Sequence, residues 1–219
     1  SFAQLAERIQ RVAALARDEL NLVPGDCVAI YAPNCLPYIE LVAGLSRAGV
    51  MVATPTHRAA KMELQQILNN CQAKMVFCPD DLGGNLEHLD SLSVLSLDAE
   101  YEDMLARQSL DQPVPPADAE ATFCIPYTSG TTGEPKGVML SHHCRSHLFA
   151  AMAYHFRCLS AEDQHLCFAP LAHGGGYGFA MASIFNGGTL ELMAAFDPAH
   201  VMARLASGEV TSVFMVPTH

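Results

Sequence analysis

The sequence predicts an α/β protein with mostly parallel, doubly wound sheets and helices on both faces. Strand-length apolar runs alternate with helical patterns along most of the 219 residues, which is typical of parallel α/β folds. The apolar runs are continuous rather than alternating, as in strands that are covered on both faces. Half of the residues are hydrophobic and 16% are charged, so we expect a large buried core.

The first predicted block, residues 1–107, begins with an amphipathic helix. Phe2, Leu5 and Ile9 recur at helical spacing, and charged residues occupy the opposite face. Further helices are predicted at 36–48, 60–71 and 82–90, between strands at 27–32, 50–55, 74–79 and 94–97. The alternation favours a parallel sheet with right-handed crossovers.

A polar, proline-rich segment at 108–120 is predicted to link this block to a second one at 121–219. Strands are predicted there at 121–128, 137–141, 165–170, 189–193 and 211–217. Helices are predicted at 142–157, 178–185 and 197–206. Because the sequence starts without methionine and stops directly after an apolar strand, we expect an excised fragment of a longer chain.

Charge and hydropathy exclude several classes of partner. The formal net charge is −11, whereas nucleic-acid binding needs a basic face to displace counterions from phosphates. The same charge argues against docking on anionic lipid. No apolar run reaches the length of about 18 residues that a membrane-spanning helix needs.

The eight cysteines show no CxxC pair. Several of them lie inside apolar runs, such as Cys124 in "TFCIPY" and Cys167 in "HLCFAP". Free cysteines of this kind behave as small buried hydrophobes. We therefore expect free thiols and a cytoplasmic location, where disulfides are rare.

The segment "TSGTTGEPKG", residues 128–137, is rich in glycine and hydroxyl groups. A Walker A loop places lysine directly after glycine and a hydroxyl residue after lysine. Here Lys136 follows Pro135 and precedes Gly137, so that motif is excluded. The GxGxxG spacing of dinucleotide-binding folds is absent as well.

The residue types in this segment nevertheless suit a phosphate. Glycines let the backbone approach an anion closely, and the hydroxyls of Thr128, Ser129, Thr131 and Thr132 can each donate to a phosphate oxygen. Lys136 is the only lysine or arginine between Arg107 and Arg145. From the residues alone two interpretations stay open, an anion-binding loop and a flexible Gly/Thr turn.

The run "YTSGTTGEPKGVMLSH", Tyr127 to His142, closely resembles the signature loop of the AMP-forming adenylate ligases. This superfamily includes acyl-CoA synthetases, aryl-CoA ligases, luciferases and adenylation domains of peptide synthetases. Further segments resemble the family from the first helix to the end: "PGDCVAIYAPNCLPYIELVAGLSRAGVMVATP", "PLAHGGGYG" and "VFMVPTH". The resemblance thus covers nearly the whole chain.

The resemblance implies a site for ATP with Mg²⁺. The residues that it places on the β- and γ-phosphates are Thr128, Ser129, Gly130, Thr131, Thr132, Gly133 and Lys136. Lys136 and His173 are the implied catalytic residues, with His173 near the substrate carboxylate. The neighbouring glycines, Gly174 to Gly176, would leave room for the acyl group.

The implied function is that of an acyl-CoA synthetase, which activates a carboxylic acid with ATP and transfers the acyl group to coenzyme A. Fatty-acid metabolism is one setting that the resemblance implies. Motifs for adenine, ribose, the hinge and the catalytic lysine of the C-terminal domain do not occur up to His219, so we expect this chain alone to lack turnover. Two alternatives remain: an adenylation domain that loads a carrier protein, and a non-catalytic nucleotide-binding or interaction module.

The histidines around residue 143 raise the question of a metal site. His143 and His147 have the i,i+4 spacing of a metal pair, but no glutamate of the HExxH type lies between them. A third ligand cannot be identified. We therefore predict structural or solvated histidines and no protein-held metal.

Overall fold

The computed structural model describes residues 1–87, 89, 92–129 and 135–219, with only the backbone of Ser129 described. These residues form an α/β fold with mostly parallel sheets, as predicted. The chain divides into two compact units. One comprises Ser1–Ala32 and Pro37–His142, and the other comprises Pro33–Leu36 and His143–His219.

The first unit is built on a sheet to which seven of the described strands belong. These are β1 (Cys27–Ile30), β2 (Met51–Thr54), β3 (Met75–Cys78), β4 (Ser93–Ser96), β5 (Thr122–Ser129), β6 (Pro135–Gly137) and β7 (Leu140–Ser141). The strand order is β4-β3-β1-β2-β5-β6, and β7 also pairs with β5. Strands β1 to β5 pair in parallel, whereas β6 and β7 run antiparallel to β5. All residues of β1 and β3 are buried, which explains why their sequences are apolar without alternation.

Helices accompany this sheet at the positions that the sequence predicts, with one addition. They are α1 (Phe2–Ala14), α2 (Leu36–Arg47), α3 (Lys61–Asn70), α4 (Asp80–Gly83) and α5 (Ala99–Arg107), and a π-helical turn at Leu15–Glu19 extends α1. A capping box formed by Ser1 and Gln4 begins α1.

Helix α5 was not predicted, and α4 is shorter than the helix predicted at 82–90, part of which lies outside the described residues. The apolar side of α5 is buried through Tyr101, Met104 and Leu105. Arg8 of α1 bonds to Glu102 of α5 and to Glu40 of α2. This ion-pair network ties three helices of the first unit together.

The boundary between the compact units differs from the predicted block boundary at 108–120. Strand β5 follows that segment in the chain, yet it pairs with β2, with Val52 opposite Cys124. The strand therefore extends the first sheet, and the units divide after His142.

The second unit contains a smaller parallel sheet. Its elements are α6 (His142–Phe156), β8 (Gln164–Cys167), α7 (Gly174–Phe185), β9 (Thr189–Leu192), α8 (Pro198–Ala206) and β10 (Ser212–Val213), and its strand order is β10-β8-β9. Asp197 caps α8 by accepting hydrogen bonds from Ala199 N and His200 N. Leu166, Phe168 and Val201 form the centre of its core.

Three predicted elements of the second block have different bounds in the structure. The strand predicted at 137–141 is divided into β6 and β7, and the strand predicted at 211–217 is reduced to β10. Helix α7 begins at Gly174 rather than at 178. Glycine weakens a helix on intrinsic propensity, so a glycine-rich run predicted a loop where tertiary packing forms a helical turn.

None of the eight cysteines, all of which the structure describes, belongs to a disulfide. Four are buried, and Cys144 is exposed rather than part of the core. Within the described part of the chain, no helix combines the length and the apolar character needed to cross a bilayer.

Candidate functional site

A hairpin carries the described part of the glycine-rich segment. Strands β5 and β6 pair in antiparallel register, with Thr128 opposite Lys136 and Tyr127 opposite Gly137. Directly opposed residues lie about 5 Å apart at their β-carbons, so the Thr128 hydroxyl and the Lys136 ammonium share one end of the hairpin. Both residues are exposed. The predicted phosphate ligands Gly130, Thr131, Thr132 and Gly133 lie outside the described residues.

Tyr127 fixes the base of this hairpin to helix α3. Its ring packs against the core of the first unit, and its hydroxyl donates to Asn70 Oδ1 at 2.7 Å. Burial and then the neighbouring Cys71 thiol raise the pKa of Tyr127, so the hydroxyl stays protonated and remains a donor. The sequence did not identify Tyr127 as a site residue, because its partner is 57 positions away.

Gly137 has a packing reason to be glycine. A β-carbon at this position would lie 2.7 Å from Ile125 Cγ2 and 2.9 Å from Tyr127 Cζ. Such distances are too short for unstrained carbon contacts. Gly137 therefore allows β6 to lie against the side chains of β5, in addition to any close approach to an anion that the sequence suggested.

His173 belongs to the second unit and stands directly before helix α7. Its backbone is extended, its N–H donates to the Pro170 carbonyl at 3.0 Å, and its carbonyl accepts from Tyr177 N at 2.9 Å. The residue is exposed. His173 therefore lies in the segment between the carboxyl end of β8 and helix α7, and this side of a parallel α/β sheet is where ligands commonly bind.

Gly175 and Gly176 have a packing reason to be glycine, and the room for a substrate at Gly174 to Gly176 stays a prediction. A β-carbon at Gly175 would lie 2.5 Å from the Phe214 ring, and one at Gly176 would lie 2.5 Å from the Pro170 carbonyl oxygen. Both glycines serve close packing inside the first turn of α7. Gly174 has open space on its β-carbon side.

Asn34 is a second residue that the sequence did not single out. It is 6% exposed, and its side-chain amide bonds to backbone groups at 169, 171 and 193. Those groups lie more than 130 positions away in the chain, so no local pattern reveals the contact.

The histidines at the start of α6 show local contacts. The His143 and His147 rings meet edge to face at 4.4 Å, and His142 Nε2 lies 3.2 Å from the Ser46 carbonyl. Burial lowers the pKa of His142. In the part of the chain that the structure describes, no group of three or more His, Cys, Asp or Glu side chains is arranged to hold a metal ion.

Comparison with known families gives one match over the full length of the chain. A family model described as AMP-binding enzyme matches residues 1–219. Among curated proteins, a feruloyl-CoA synthase from an Amycolatopsis species is 30% identical over 224 residues. A 2-succinylbenzoate–CoA ligase from Geobacillus kaustophilus is 29% identical over 218 residues.

These alignments include essentially the whole chain but only 44% and 43% of the two relatives. Among solved structures, ATP-bound MatB from Rhodopseudomonas palustris is similar with a TM-score of 0.88 and 26% identity, over 100% of this chain and 44% of that one. The inhibitor-bound N-terminal domain of FACL13 from Mycobacterium tuberculosis has the same fold, with a TM-score of 0.91 and 24% identity, over 100% of this chain and 56% of that one.

Proposed function

This chain belongs to the family of AMP-binding enzymes, and from that membership we propose that its parent protein is an ATP-dependent acid–CoA ligase. The observation that carries the proposal is the hairpin that sets Lys136 opposite Thr128, at the two ends of the segment that matches the family signature. The curated relatives are named as CoA ligases, which supports coenzyme A rather than a carrier protein as the acceptor.

In the first half-reaction a carboxylate oxygen attacks the α-phosphorus of ATP. The bond from that phosphorus to the bridging oxygen breaks, and pyrophosphate leaves with the electron pair. Catalysis of such a transfer rests on positioning and on neutralising negative charge. We assign Lys136 to the β- and γ-phosphate oxygens as a point charge, with the hydroxyls of Thr128, Ser129, Thr131 and Thr132 and the backbone at Gly130 and Gly133 as hydrogen-bond donors.

In the second half-reaction the thiol sulfur of coenzyme A attacks the acyl carbon. The carbon–oxygen bond to the phosphate breaks, AMP leaves, and the thiol proton is lost to solvent. We assign His173, which lies between the carboxyl end of β8 and helix α7, to the carboxylate and acyl side of the site. The remaining catalytic groups are assigned to the C-terminal domain of the parent protein, so we propose that these 219 residues alone do not turn over.

The donor set of the hairpin fits a triphosphate better than a free metal ion. Mg²⁺ takes hard oxygen ligands and usually keeps several waters and substrate phosphate oxygens. The described hairpin offers the Thr128 hydroxyl and the cationic Lys136, and a cation repels a bare metal ion. A Mg²⁺ ion would therefore be held mainly by phosphate oxygens, and it would supply charge neutralisation of the leaving pyrophosphate.

The free cysteines support a reducing compartment, so we place the parent protein in the cytosol. The acid is proposed as a class only. The names of the relatives include an aromatic acid, ferulate, and 2-succinylbenzoate, which has an aromatic ring as well. Aromatic acids are therefore the first to be tested, with fatty acids of graded length beside them.

The deciding experiment measures acid-dependent pyrophosphate release from ATP by the full-length protein, and thioester formation when coenzyme A is added. We expect Lys136→Ala to lower the pyrophosphate rate about 10- to 150-fold, since a charge-assisted hydrogen bond contributes about 1.5–3 kcal/mol. Lys61→Ala is the matched control, because Lys61 is also an exposed lysine of the first unit. An unchanged rate in Lys136→Ala would remove the role given to the hairpin.

Three further outcomes separate the alternatives. Pyrophosphate release without thioester formation, but with acylation of a carrier protein, would favour the carrier-loading function. Binding of Mg-ATP without release for any acid of the panel would leave a nucleotide-binding module. Absence of binding and release in a folded protein would contradict the ligase proposal.

A further inference from the structure

The Asn34 side chain makes three hydrogen bonds to backbone groups of the second unit. Its Nδ2 donates to the Ala169 carbonyl at 3.0 Å and to the Met193 carbonyl at 3.1 Å. Its Oδ1 accepts from Leu171 N at 2.8 Å. Both amide hydrogens and the carbonyl oxygen are thereby used, so only one orientation of the amide satisfies the site.

These three contacts join the carboxyl ends of neighbouring parallel strands. Ala169 and Leu171 follow β8, and Met193 follows β9, while the two strands themselves pair from Gln164 to Cys167. Beyond the last strand pair, the backbone carbonyls of Ala169 and Met193 and the N–H of Leu171 need hydrogen-bond partners outside the sheet. Asn34 supplies them at the point where the sheet hydrogen bonds end.

The segment that Asn34 holds leads directly to His173. Pro170 lies between the two contacted residues Ala169 and Leu171, and its carbonyl accepts from His173 N at 3.0 Å. On its other side the segment is packed against helix α7, because Gly176 leaves no space between the helix and the carbonyl oxygens of Ala169 and Pro170. The backbone before His173 is therefore fixed from two sides.

We propose that Asn34 is a positioning residue for the acid-binding side of the site, which sets the place of His173 by holding residues 169–171. The proposal rests on the ligase function proposed above. Among the described residues, the hydrogen bonds of Asn34 go to the second unit, to which Asn34 itself belongs, whereas the residues that we assign to the triphosphate belong to the first unit. Loss of its amide therefore affects use of the acid and leaves use of ATP unchanged.

The first test is a steady-state comparison of the full-length wild type with Asn34→Asp. Aspartate has nearly the same shape and still accepts from Leu171 N, but it turns a carboxylate oxygen toward the Ala169 and Met193 carbonyls. We expect the KM for the acid to rise at least tenfold and the KM for ATP to stay within twofold. A merely structural role would lower the amount of active protein and leave both KM values unchanged.

Asn186→Ser is the matched control, because Asn186 Nδ2 also donates to two backbone carbonyls of the second unit, those of Phe149 and Ala182. Asn34→Ser is the second variant if Asn34→Asp does not fold. We expect the serine variants to lose similar thermal stability, whereas only Asn34→Ser raises the KM for the acid. Equal effects of the two serine variants on this KM would overturn the proposal.

Hydrogen exchange separates failure of this proposal from failure of the ligase function. In Asn34→Ser, a peptide covering 170–178 should exchange at least tenfold faster than in Asn186→Ser, because the His173 amide donates to Pro170 in the held segment and the Tyr177 amide donates to His173. If the wild type shows no acid-dependent reaction, the ligase proposal fails. The exchange result then still tests whether Asn34 holds residues 169–171. Equal exchange in both variants would refute that role.

Discussion

The two units hold the residues that we propose to contact the ligands, Lys136 and His173, by different means. Lys136 of the first unit lies on a β-strand, and a ladder of backbone pairs between β5 and β6 sets its place. His173 of the second unit lies beyond the end of a strand, and side-chain bonds from Asn34 together with the close packing of Gly176 fix its segment. The first arrangement is local in sequence, and the second is assembled from distant residues.

This difference predicts a difference in sensitivity. A backbone ladder tolerates most side-chain changes, because its hydrogen bonds do not involve side chains. A segment that depends on buried amides and on missing β-carbons is sensitive to single substitutions, since each buried polar group left without a partner costs about 1–3 kcal/mol. We therefore expect the second unit to respond more strongly to mutation and to acid.

The largest expected effect concerns His165 on β8. This residue is 1% exposed, its Nδ1 lies 2.9 Å from Ser212 Oγ, and its Nε2 is buried without a hydrogen-bond partner among the described residues. Its ring stacks on Phe179 at 5.9 Å. Burial lowers the pKa of His165 to about 4, so the folded second unit holds a neutral imidazole.

The sign of the pH effect follows from this lowered pKa. Between the ordinary histidine pKa of about 6.5 and pH 4 the unfolded chain binds a proton that the folded chain does not. The contribution of His165 to the free energy of unfolding therefore falls as the pH decreases through this window, by about 3 kcal/mol in total, and is constant above it. Hydrogen exchange of the β8 and β10 peptides in the full-length protein measures this loss.

The matched variants are His165→Gln and His142→Gln. Glutamine at 165 stays neutral, so the loss between pH 6.5 and 4 should shrink in the second unit. His142 also has a pKa lowered by burial, but it belongs to the first unit, and its replacement should leave β8 and β10 unaffected. A β8 response that is the same in wild type and His165→Gln would contradict the assignment.

The next effect compares two glycines of one helical turn. Alanine at Gly176 would place its β-carbon 2.5 Å from one backbone oxygen and 2.8 Å from another. Backbone atoms cannot move aside as side chains do, so we expect a loss of about 3 kcal/mol, at the upper end for overpacking. Gly174→Ala, which meets open space, should be neutral or stabilising by up to about 1 kcal/mol. Urea unfolding of the two variants measures the difference.

Most helices and strands could be predicted from the sequence because their signal is local. Continuous apolar runs marked β1 and β3, and helical periodicity marked α1. The missed helix α5 has a local signal too, since Tyr101, Met104 and Leu105 recur at helical spacing and the first turn contains two acidic residues. The proline-rich segment that follows obscures this signal.

The residues of the candidate site also fall into two groups, those that a local pattern predicts and those that it does not. Lys136 and Thr128 could be predicted because they belong to one contiguous run, although their roles on the triphosphate stay a prediction. Asn34 could not be predicted, since its three partners follow strands that come more than 130 residues later. The helical start of α7 was also hidden, because its glycines are explained by the atoms that they approach and not by their own propensity.

A smaller effect is expected at Gly137 in the hairpin. The β-carbon of Gly137→Ala would meet side-chain atoms of Ile125 and Tyr127, which can shift at moderate cost. We expect a loss of about 1–2 kcal/mol, less than at Gly176. Gly83→Ala in the same unit meets nothing within 4 Å and serves as the control in thermal unfolding. A Gly137 cost above that of Gly176 would reverse the proposed difference between the units.

The smallest expected loss of stability concerns the Tyr127 hydroxyl, a side-chain group that anchors the hairpin to helix α3. Tyr127→Phe removes the 2.7 Å bond to Asn70 Oδ1 and keeps the ring in the core. Asn70 is exposed, so water can replace the lost donor, and the expected loss is about 0.5–1.5 kcal/mol. Because the β5–β6 ladder is untouched, the KM for ATP should stay within twofold. A large rise in that KM would mean that the first unit, as we propose for the second, depends on a side chain to place the residues that contact the ligand.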